Sequence, residues 1–238
     1  MNKITALIPA RGGSVGIPKK NIISINGHPL IAYSIMACKI SSKIDRIIVS
    51  TDDEDIARIA KIYGAEVPFM RPKEYATNTS RDIEYLEHFF NLIPAQEAAL
   101  MRPTTPLRDP ATIDLAIEIY YKNKLNISSL RSINRIEQTP YKMFRLENNM
   151  IHGFFDTFEG IKNYSNLPRQ IFPESYEGNG HIDIIKKETI NIGDSYGNKI
   201  FGFETPKPSD IDTAKDLEKL LLQISTKEDL LTKHLEML

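Results

Sequence analysis

Short apolar strands alternate with amphipathic helices in the first half of the chain, and this alternation restricts the fold more than any other feature. Apolar runs bounded by turn residues predict strands at residues 4–8, 46–50, 66–70, 98–101 and 127–132. The intervening segments predict helices at residues 29–40, from Thr51 to Gly64, from Thr79 or Ser80 to Phe90, and from Asp109 to about Tyr121. This order predicts an α/β fold with a Rossmann-like, mostly parallel sheet flanked by helices.

The helical periodicity fades between about residues 135 and 177, where glycine, asparagine and aromatic residues become frequent. Two apolar stretches, 141–146 and 150–155, flank Glu147-Asn148-Asn149 and predict a β-hairpin. We interpret the region as an appendage whose aromatic side chains form a dimer surface, with a satellite core within one protomer as the alternative. These side chains are Phe144, Phe154, Phe155 and Phe158.

The first pattern returns after the appendage. Strands are predicted at residues 180–185 and 199–203, and helices at residues 210–223 and 226–238. Because the same kind of element occurs on both sides of the appendage, we expect a single domain over residues 1–238 with the appendage inserted in it.

Composition narrows the classes of protein that this chain can belong to. With 238 residues, 41% hydrophobic and 26% charged, it has the composition of an ordinary globular protein. A net charge of -1 predicts no nucleic-acid partner, and no apolar run is long enough for a signal peptide or a membrane span. The single cysteine, Cys38, excludes an intramolecular disulfide and is expected to be a buried thiol. We therefore expect a cytoplasmic protein.

The loop after the first strand reads PARGGSVGIPKKN and has the chemistry of a phosphate site. Ligands of parallel sheets bind beyond the carboxyl ends of the strands, where this loop lies. Its glycines let backbone N–H groups approach an anion, and Arg11 and Lys20 supply positive charge. The loop lacks the residue order of a P-loop or a dinucleotide fingerprint, and the alternative is an ordinary glycine-rich connection with solvated lysines.

Motifs in series along nearly the whole chain resemble one family, the acylneuraminate cytidylyltransferases, or CMP-sialic acid synthetases. The matching residues are Ala10, Arg11, Ser14, Gly16, Lys20 and Asn21, then residues 45–53 (DRIIVSTDD), Met70-Arg71-Pro72, residues 102–108 (RPTTPLR), Arg169-Gln170, Asn179-Gly180 and residues 209–213 (SDIDT). Each motif alone would be weak, but their number and order make the resemblance specific.

The resemblance implies a reaction of CTP with a nine-carbon 2-keto-3-deoxy sugar acid, giving a CMP-sugar and pyrophosphate. It implies catalytic roles for Arg11 and Lys20, which would hold the triphosphate. It also implies that Asp210 and Asp212 bind Mg²⁺, because hard carboxylate oxygens suit that ion. The alternative for the two aspartates is a helix N-cap with an acidic first turn.

The resemblance also divides the remaining site residues between two ligands. Those implied to surround the nucleotide are Ala10, Gly12, Ser14, Asn21, Arg71, Thr79 and Ser80, although Arg71 has an alternative as a salt bridge to Glu74. Those implied on the sugar-acid side are Arg102, Thr104, Lys142, Arg169, Gln170, Asn179 and Gly180. A guanidinium there would pair with the sugar carboxylate, and the alternative is solvated surface charge. The expected partners are CTP, a sugar acid and a second copy of the chain.

Three residues depart from the family pattern and leave the acceptor open. Val15 stands where the family usually has a lysine, Arg102 replaces a glutamine, and Asp183 stands where a tyrosine is frequent. The acceptor could accordingly be N-acetylneuraminic, legionaminic or pseudaminic acid. The other hypotheses are a sugar-phosphate nucleotidyltransferase that uses another nucleotide, and an inactive family member that acts as a binding subunit.

Overall fold

The computed structural model describes residues 3–14, 16–226 and 230–237. Val15, the site of one departure from the family pattern, lies outside the described residues. So does part of the helix predicted at residues 226–238.

The described residues form ten strands and seven α-helices, besides short 3-10 turns. The strands are β1 (Ile4–Pro9), β2 (Ser24–Ile25), β3 (His28–Pro29), β4 (Ile44–Ser50), β5 (Glu97–Leu100), β6 (Ser129–Ile136), β7 (Phe144–Glu147), β8 (Met150–Gly153), β9 (Ser175–Lys186) and β10 (Ile200–Glu204). The helices are α1 (Leu30–Ile40), α2 (Glu54–Ile62), α3 (Asp82–Leu92), α4 (Pro110–Asn123), α5 (Lys187–Asn191), α6 (Ala214–Thr226) and α7 (Leu230–Leu235).

Six of the strands form the central sheet, in the order β10-β6-β9-β5-β1-β4. β1 pairs in parallel with β4 and β5, and β10 pairs in parallel with β6. β9 runs antiparallel to both of its neighbours, β5 and β6. The predicted α/β fold with a mostly parallel sheet is confirmed, and β9 is its inverted strand.

Helices cover both faces of the sheet, since successive side chains of a strand point to opposite faces. Ala6 and Ile8 of β1 belong to a core with residues of α1 and α4, whereas Leu7 packs with residues of α3 on the other face. Residues 6–8 of β1 and 98–100 of β5 are accordingly apolar and fully buried, as expected for strands covered on both faces. None of the helices within the described ranges is long and apolar enough to cross a bilayer.

The predicted N-cap of α2 is wrong by two residues. Asp53, and not Thr51, caps the helix, because its carboxylate accepts a hydrogen bond from the Ile56 N–H at 2.9 Å. Thr51 Oγ1 instead accepts from the Asp53 N–H at 3.1 Å, so the threonine shapes the turn that precedes the helix.

α3 also begins later than predicted, at Asp82 rather than at Thr79 or Ser80. Ser80 Oγ lies 3.0 Å from the Thr77 N–H and donates to the Glu74 carbonyl at 2.9 Å. These local bonds compete with helix formation and keep the segment in a turn. The segment therefore remains a loop at the carboxyl edge of the sheet.

The strand predicted at residues 66–70 is wrong in extent, because only a single bridge joins Glu66 to Ile48. Pro68 has no backbone N–H, so the pairing cannot continue along the edge of the sheet. β6 and β9, in contrast, extend beyond their predicted bounds. They pair with each other as far as Ile136 and Ser175, at the base of the appendage.

The hairpin predicted in the appendage is confirmed as β7 and β8. Asn148 and Asn149 form its turn with φ of 49° and 64°, the left-handed conformation that tight hairpin turns require. An aromatic cluster packs beside it and comprises Tyr141, Phe155, Phe158, Tyr164 and Phe172. Phe144 and Phe154 remain exposed. The appendage thus has a small satellite core and, in addition, an exposed apolar surface.

Cys38 is buried in α1, as predicted, and is 1% exposed. Burial raises the pKa of its thiol to about 12, the opposing effect of the Arg108 charge being smaller. Because the thiolate is the reactive form, we expect native protein at pH 8 to react with a thiol reagent at least ~100-fold more slowly than denatured protein. Labelling reactions quenched at successive times and analysed by mass spectrometry measure the ratio of the two rates. Rapid labelling of folded protein would contradict the burial of Cys38.

Candidate functional site

Two cavities lie next to each other at the carboxyl edge of the sheet. The first, of about 440 Å³, is lined by the loop after β1 and by the segment before α3. The second, of about 630 Å³, is lined by residues of β6 and β9 and by the segment before α6. Arg102, Thr104 and Asp212 line both cavities. We name them the nucleotide-side cavity and the acceptor-side cavity, because the sequence predicts phosphate-binding residues in the first.

Backbone groups of the loop after β1 form hydrogen bonds to neighbouring side chains. The basic side chains of the loop, Arg11 and Lys20, line the cavity. Asn21 Nδ2 donates to the Arg11 carbonyl at 2.9 Å, and the Gly12 N–H donates to Asp52 Oδ1 at 2.9 Å. The Arg11 guanidinium donates to the Thr77 carbonyl. The loop of β1 and the segment before α3 are thereby joined across the nucleotide-side cavity.

Lys20 connects this loop to the segment before α6. Its Nζ donates to the Ile211 carbonyl and to Asp212 Oδ1, both at 2.8 Å. Gly16 lies against the same segment, and a Cβ there would overlap the Asp212 carbonyl oxygen. The structure thus brings Lys20 and Asp212, 192 residues apart in the sequence, into direct contact.

The aspartates are not the N-cap of a helix, and that alternative is wrong. The helix predicted from residue 210 begins at Ala214, because Thr213 and Asp216 form a capping arrangement. Asp216 Oδ2 accepts from the Thr213 N–H at 3.0 Å, and Thr213 Oγ1 accepts from the Asp216 N–H at 3.3 Å. Asp210 and Asp212 therefore stand in a non-helical segment with carboxylates available to a ligand.

The donor set fits Mg²⁺. Within the described part of the chain, no three His, Cys, Asp or Glu side chains are grouped as a metal site. Mg²⁺ is commonly held by one or two carboxylates, with phosphate oxygens and waters as further ligands. Asp210 and Asp212 both line the acceptor-side cavity, and Asp212 lines the nucleotide-side cavity as well. Two carboxylates beside a basic, phosphate-sized loop meet that requirement.

Arg71 is a buried wall of the nucleotide-side cavity and not a partner of Glu74. Its guanidinium donates to Ser50 Oγ at 3.0 Å and to the Ser50 carbonyl at 2.6 Å. It also lies 4.8 Å from the ring centroid of Tyr85. Burial lowers the pKa of Arg71 from its ordinary value. A fixed guanidinium next to an aromatic ring forms a rigid polar surface for a flat ligand.

The other residues predicted on the nucleotide side are divided between the cavity wall and its support. Ser14, Asn21 and Ser80 line the cavity. Ala10 is fully buried, and its N–H donates to the Ser50 carbonyl at 2.9 Å, so it holds β1 and β4 together. Thr79 bonds within its own turn, where its N–H donates to Thr77 Oγ1 at 3.3 Å. Ala10, Gly12 and Thr79 therefore do not line the nucleotide-side cavity.

Arg102 and Asp183, two of the departures from the family pattern, form an ion pair. Arg102 donates to Asp183 Oδ2 at 2.7 Å and to Asp82 Oδ2 at 2.7 Å. Asp183 is 1% exposed and also accepts from the Tyr196 hydroxyl at 2.9 Å. Burial alone would lower the pKa of Arg102, but the carboxylates, Asp183 foremost, raise it well above its ordinary value. Arg102 is thus a permanent cation at the junction of the cavities.

Arg108 shapes the junction from behind, a role that sequence reasoning missed. It is 1% exposed and donates to backbone carbonyls of Arg102, Thr105, Gly180 and His181, with bonds of 2.9 Å to Gly180 and 2.6 Å to His181. Burial lowers its pKa to about 10. The motif RPTTPLR signals its presence but not its direction, since a basic residue in a loop usually faces solvent.

The residues predicted for the sugar acid fall into two groups. Asn179 and Gly180 line the acceptor-side cavity together with Arg102 and Thr104. The other three lie in the appendage, line neither described cavity, and are Lys142, Arg169 and Gln170. Lys142 donates to the Ser165 carbonyl at 3.1 Å, while Arg169 and Gln170 are exposed. This chain alone does not bring the appendage residues to its own cavities.

Comparisons with known proteins agree with the geometry. A family described as "Cytidylyltransferase" matches residues 5–150. An N-acylneuraminate cytidylyltransferase of Escherichia coli O18:K1:H7 is 33% identical over 95% of this chain and 53% of its own length. A CMP-N,N'-diacetyllegionaminic acid synthase of Legionella pneumophila is 34% identical over 87% of this chain and 85% of its own length. The chain therefore spans about half of the first relative and most of the second.

A solved structure supports the fold at lower identity. The CMP:2-keto-3-deoxy-manno-octonic acid synthetase complexed with CTP superposes with a TM-score of 0.71 and 15% identity, over 94% of this chain and 99% of that one.

Proposed function

We propose, from the premise that the chain belongs to the cytidylyltransferase family, that it transfers CMP from CTP to a nine-carbon 2-keto-3-deoxy sugar acid. The observation that carries the proposal is the junction of the two cavities. Arg102, Thr104 and Asp212 belong to both walls, so a nucleotide in one cavity and an acceptor in the other would meet there. The similarity to relatives named for sialic and legionaminic acids supports an acid of this size.

In the proposed reaction, the anomeric hydroxyl oxygen of the acid bonds to the α-phosphorus of CTP. The bond from that phosphorus to the oxygen that bridges the α- and β-phosphates breaks, the hydroxyl proton passes to solvent water, and pyrophosphate leaves. Such a transfer requires alignment and charge neutralisation more than covalent catalysis. Arg11 and Lys20 would neutralise the triphosphate and the departing pyrophosphate, as their place on the nucleotide-side wall allows.

Asp210 and Asp212 are the residues that would hold Mg²⁺. The ion, when bound, supplies charge neutralisation at phosphate oxygens and orients the reacting groups. Lys20 fixes the orientation of Asp212 through the bond at 2.8 Å. The buried Arg71, with Ser80 and Asn21 on the same wall, would hold the cytidine side of the nucleotide.

We also propose that the active form is a homodimer built through the appendage. Its exposed apolar side chains, among them Phe144, Leu146 and Ile151, would be covered by the second copy. Lys142 and Arg169 do not line this chain's own cavities. In the proposed dimer, the two residues would reach the acceptor-side cavity of the second copy and bind the acid there. Mixing equal amounts of inactive Arg169→Ala and Asp212→Asn chains would then restore about a quarter of wild-type activity. Random exchange makes about half of the dimers mixed, and one of the two sites in each mixed dimer is intact.

The experiment that tests the function is pyrophosphate release in the presence of Mg²⁺. CTP, GTP, UTP and ATP are crossed with N-acetylneuraminic, legionaminic and pseudaminic acids and Kdo, and with an aldose 1-phosphate. We expect release only with CTP and one of the acids. Pyrophosphate release with the aldose 1-phosphate would favour a sugar-phosphate nucleotidyltransferase. No release by folded protein that still binds CTP would favour a binding subunit.

A further inference from the structure

Arg131 carries a positive charge on the wall of the acceptor-side cavity that no carboxylate of the described residues approaches within hydrogen-bonding distance. Lys207 lies 2.8 Å from Glu177, whereas Lys219, at 3.8 Å from Asp216, is paired as loosely as Arg131 but has a more exposed side chain, at 68%. Arg102 has two carboxylates at 2.7 Å. The carboxylate facing Arg131 is that of Asp183, whose Oδ1 is 3.9 Å from Arg131 Nε and thus beyond hydrogen-bonding distance.

The guanidinium of Arg131 is nevertheless held in place. It lies over the ring of Tyr196, 4.5 Å from the centroid, and next to the backbone of Gly178, where a Cβ would stand 2.8 Å from Arg131 Nε. The Tyr196 hydroxyl in turn donates to Asp183. Because 40% of the Arg131 side chain is exposed, the group is oriented by its neighbours but still accessible from the cavity.

Arg131 lies close to the junction of the cavities, because it shares a carboxylate with Arg102. Arg102 and Arg131 approach the same carboxylate, that of Asp183, from its two oxygens. Arg102 borders both cavities and has its terminal nitrogens occupied, whereas Arg131 borders the acceptor-side cavity. An anion bound beside the junction would thus find the terminal nitrogens of Arg102 engaged by protein carboxylates, and the partly exposed guanidinium of Arg131 accessible.

We propose that Arg131 binds the carboxylate of the sugar acid, and that Tyr196 and Asp183 are the positioning residues that orient it. The inference rests on the proposed function and names a determinant of substrate class for the same site. A planar guanidinium matches a carboxylate with two parallel hydrogen bonds, which a neutral acceptor cannot provide at equal strength. In a 2-keto acid the carboxylate is attached to the carbon that bears the attacking hydroxyl, so binding it beside the junction directs that hydroxyl toward the nucleotide.

The test compares Arg131→Gln with wild type and with Arg58→Gln, an exposed arginine on α2 that serves as the control. The substrate is the acid that wild type turns over in the pyrophosphate assay. We expect Arg131→Gln to raise its KM roughly 10- to 100-fold, the loss expected for hydrogen bonds to a charged group. The KM for CTP and the midpoint of thermal unfolding should remain near the wild-type values, and Arg58→Gln should change none of these quantities.

A neutral competitor separates the carboxylate from the rest of the sugar. The C1 carboxamide of the same acid is measured as an inhibitor of wild type and of Arg131→Gln. Wild type should bind the acid at least ~10-fold more tightly than the carboxamide, and the variant should lose that preference. Equal weakening of both compounds would overturn the proposal, because Arg131 would then contact another part of the sugar.

Two further variants cover a failure of Arg131→Gln to fold. Arg131→Lys keeps the charge without the planar fork, so its KM should lie between those of wild type and glutamine variant. Tyr196→Phe removes the hydroxyl that orients Asp183 and should raise the KM for the acid a few-fold with kcat unchanged. Wild-type KM values in both variants would overturn the inference alone, whereas absence of turnover by wild type with every acid would overturn the proposed function.

Discussion

Replacing Asp212 with asparagine is expected to lower kcat by about 100-fold or more, the effect of losing a charged group that stabilises a transition state. Asp212 lines both cavities, and its Oδ1 lies 2.8 Å from Lys20 Nζ. Asparagine keeps the shape of the side chain but removes the negative charge. The variant should therefore bind Mg²⁺ more weakly and should hold Lys20 less firmly against the triphosphate.

Steady-state pyrophosphate release against Mg²⁺ concentration measures both effects. The side chain of Asp212 is 70% exposed, so the variant should unfold at nearly the wild-type temperature. Glu218→Gln is the matched control, because Glu218 is an exposed acid on α6, outside both cavities. Turnover of Asp212→Asn near the wild-type rate would remove this residue from the reacting site, and equal loss in Glu218→Gln would indicate a general effect of charge.

The parts of the fold that sequence predicted well are those in which local pattern and tertiary packing agree. The capped start of α4 is an example, since Asp109 accepts from the Ala111 N–H at 3.0 Å and Pro110 occupies the first helical position. The prediction failed where one residue outweighed the pattern, as Pro68 does after the bridge at Glu66. The antiparallel direction of β9 could not be predicted, because an apolar run has no preferred orientation.

The site residues also separate into those with a local sequence signal and those whose position depends on tertiary packing. The order of strands and loops predicted that the loop with Arg11 and Lys20 lies at the carboxyl edge of the sheet, and the family resemblance added Asp212. The structure brings the three residues to one cavity wall. Arg108 was not identified, because nothing in its local sequence indicates that it turns inward to bind carbonyls. Arg131 was missed for a related reason, since its placement depends on Tyr196, which is 65 residues away in the sequence.

The contact between Arg102 and Asp183 could not be predicted from either residue alone. Each residue alone looks like a departure from the family pattern, one adding a positive charge and the other a negative charge. Their contact at 2.7 Å joins residues that are 81 positions apart in the sequence and brings the two opposite charges together at the end of β5. Arg102 and Asp183 are therefore expected to depend on each other for the stability of the fold.

That dependence predicts a large loss of stability in Arg102→Gln. Asp183 is 1% exposed. Without the Arg102 guanidinium, its buried carboxylate would keep the hydrogen bond from the Tyr196 hydroxyl and the guanidinium of Arg131, whose Nε lies 3.9 Å from Asp183 Oδ1. Losing one partner of a buried pair costs about 3–5 kcal/mol of unfolding free energy. We expect the lower end, about 3 kcal/mol, because Tyr196 and Arg131 remain, and a fall in Tm of roughly 6–12 °C follows for a chain of this size.

Denaturant unfolding of a double-mutant cycle measures the coupling. Arg102→Gln combined with Asp183→Asn should recover at least half of the lost stability, because no buried charge is left unpaired. Arg46→Gln is the control, since Arg46 forms an equally close pair with Glu66, at 3.0 Å and 2.6 Å, but on the surface. An exposed pair contributes at most about 1 kcal/mol, so a similar loss in both single variants would show that burial of Asp183 does not set the energy. Additive losses in the double variant would show that the two residues do not stabilise each other and would contradict the predicted coupling.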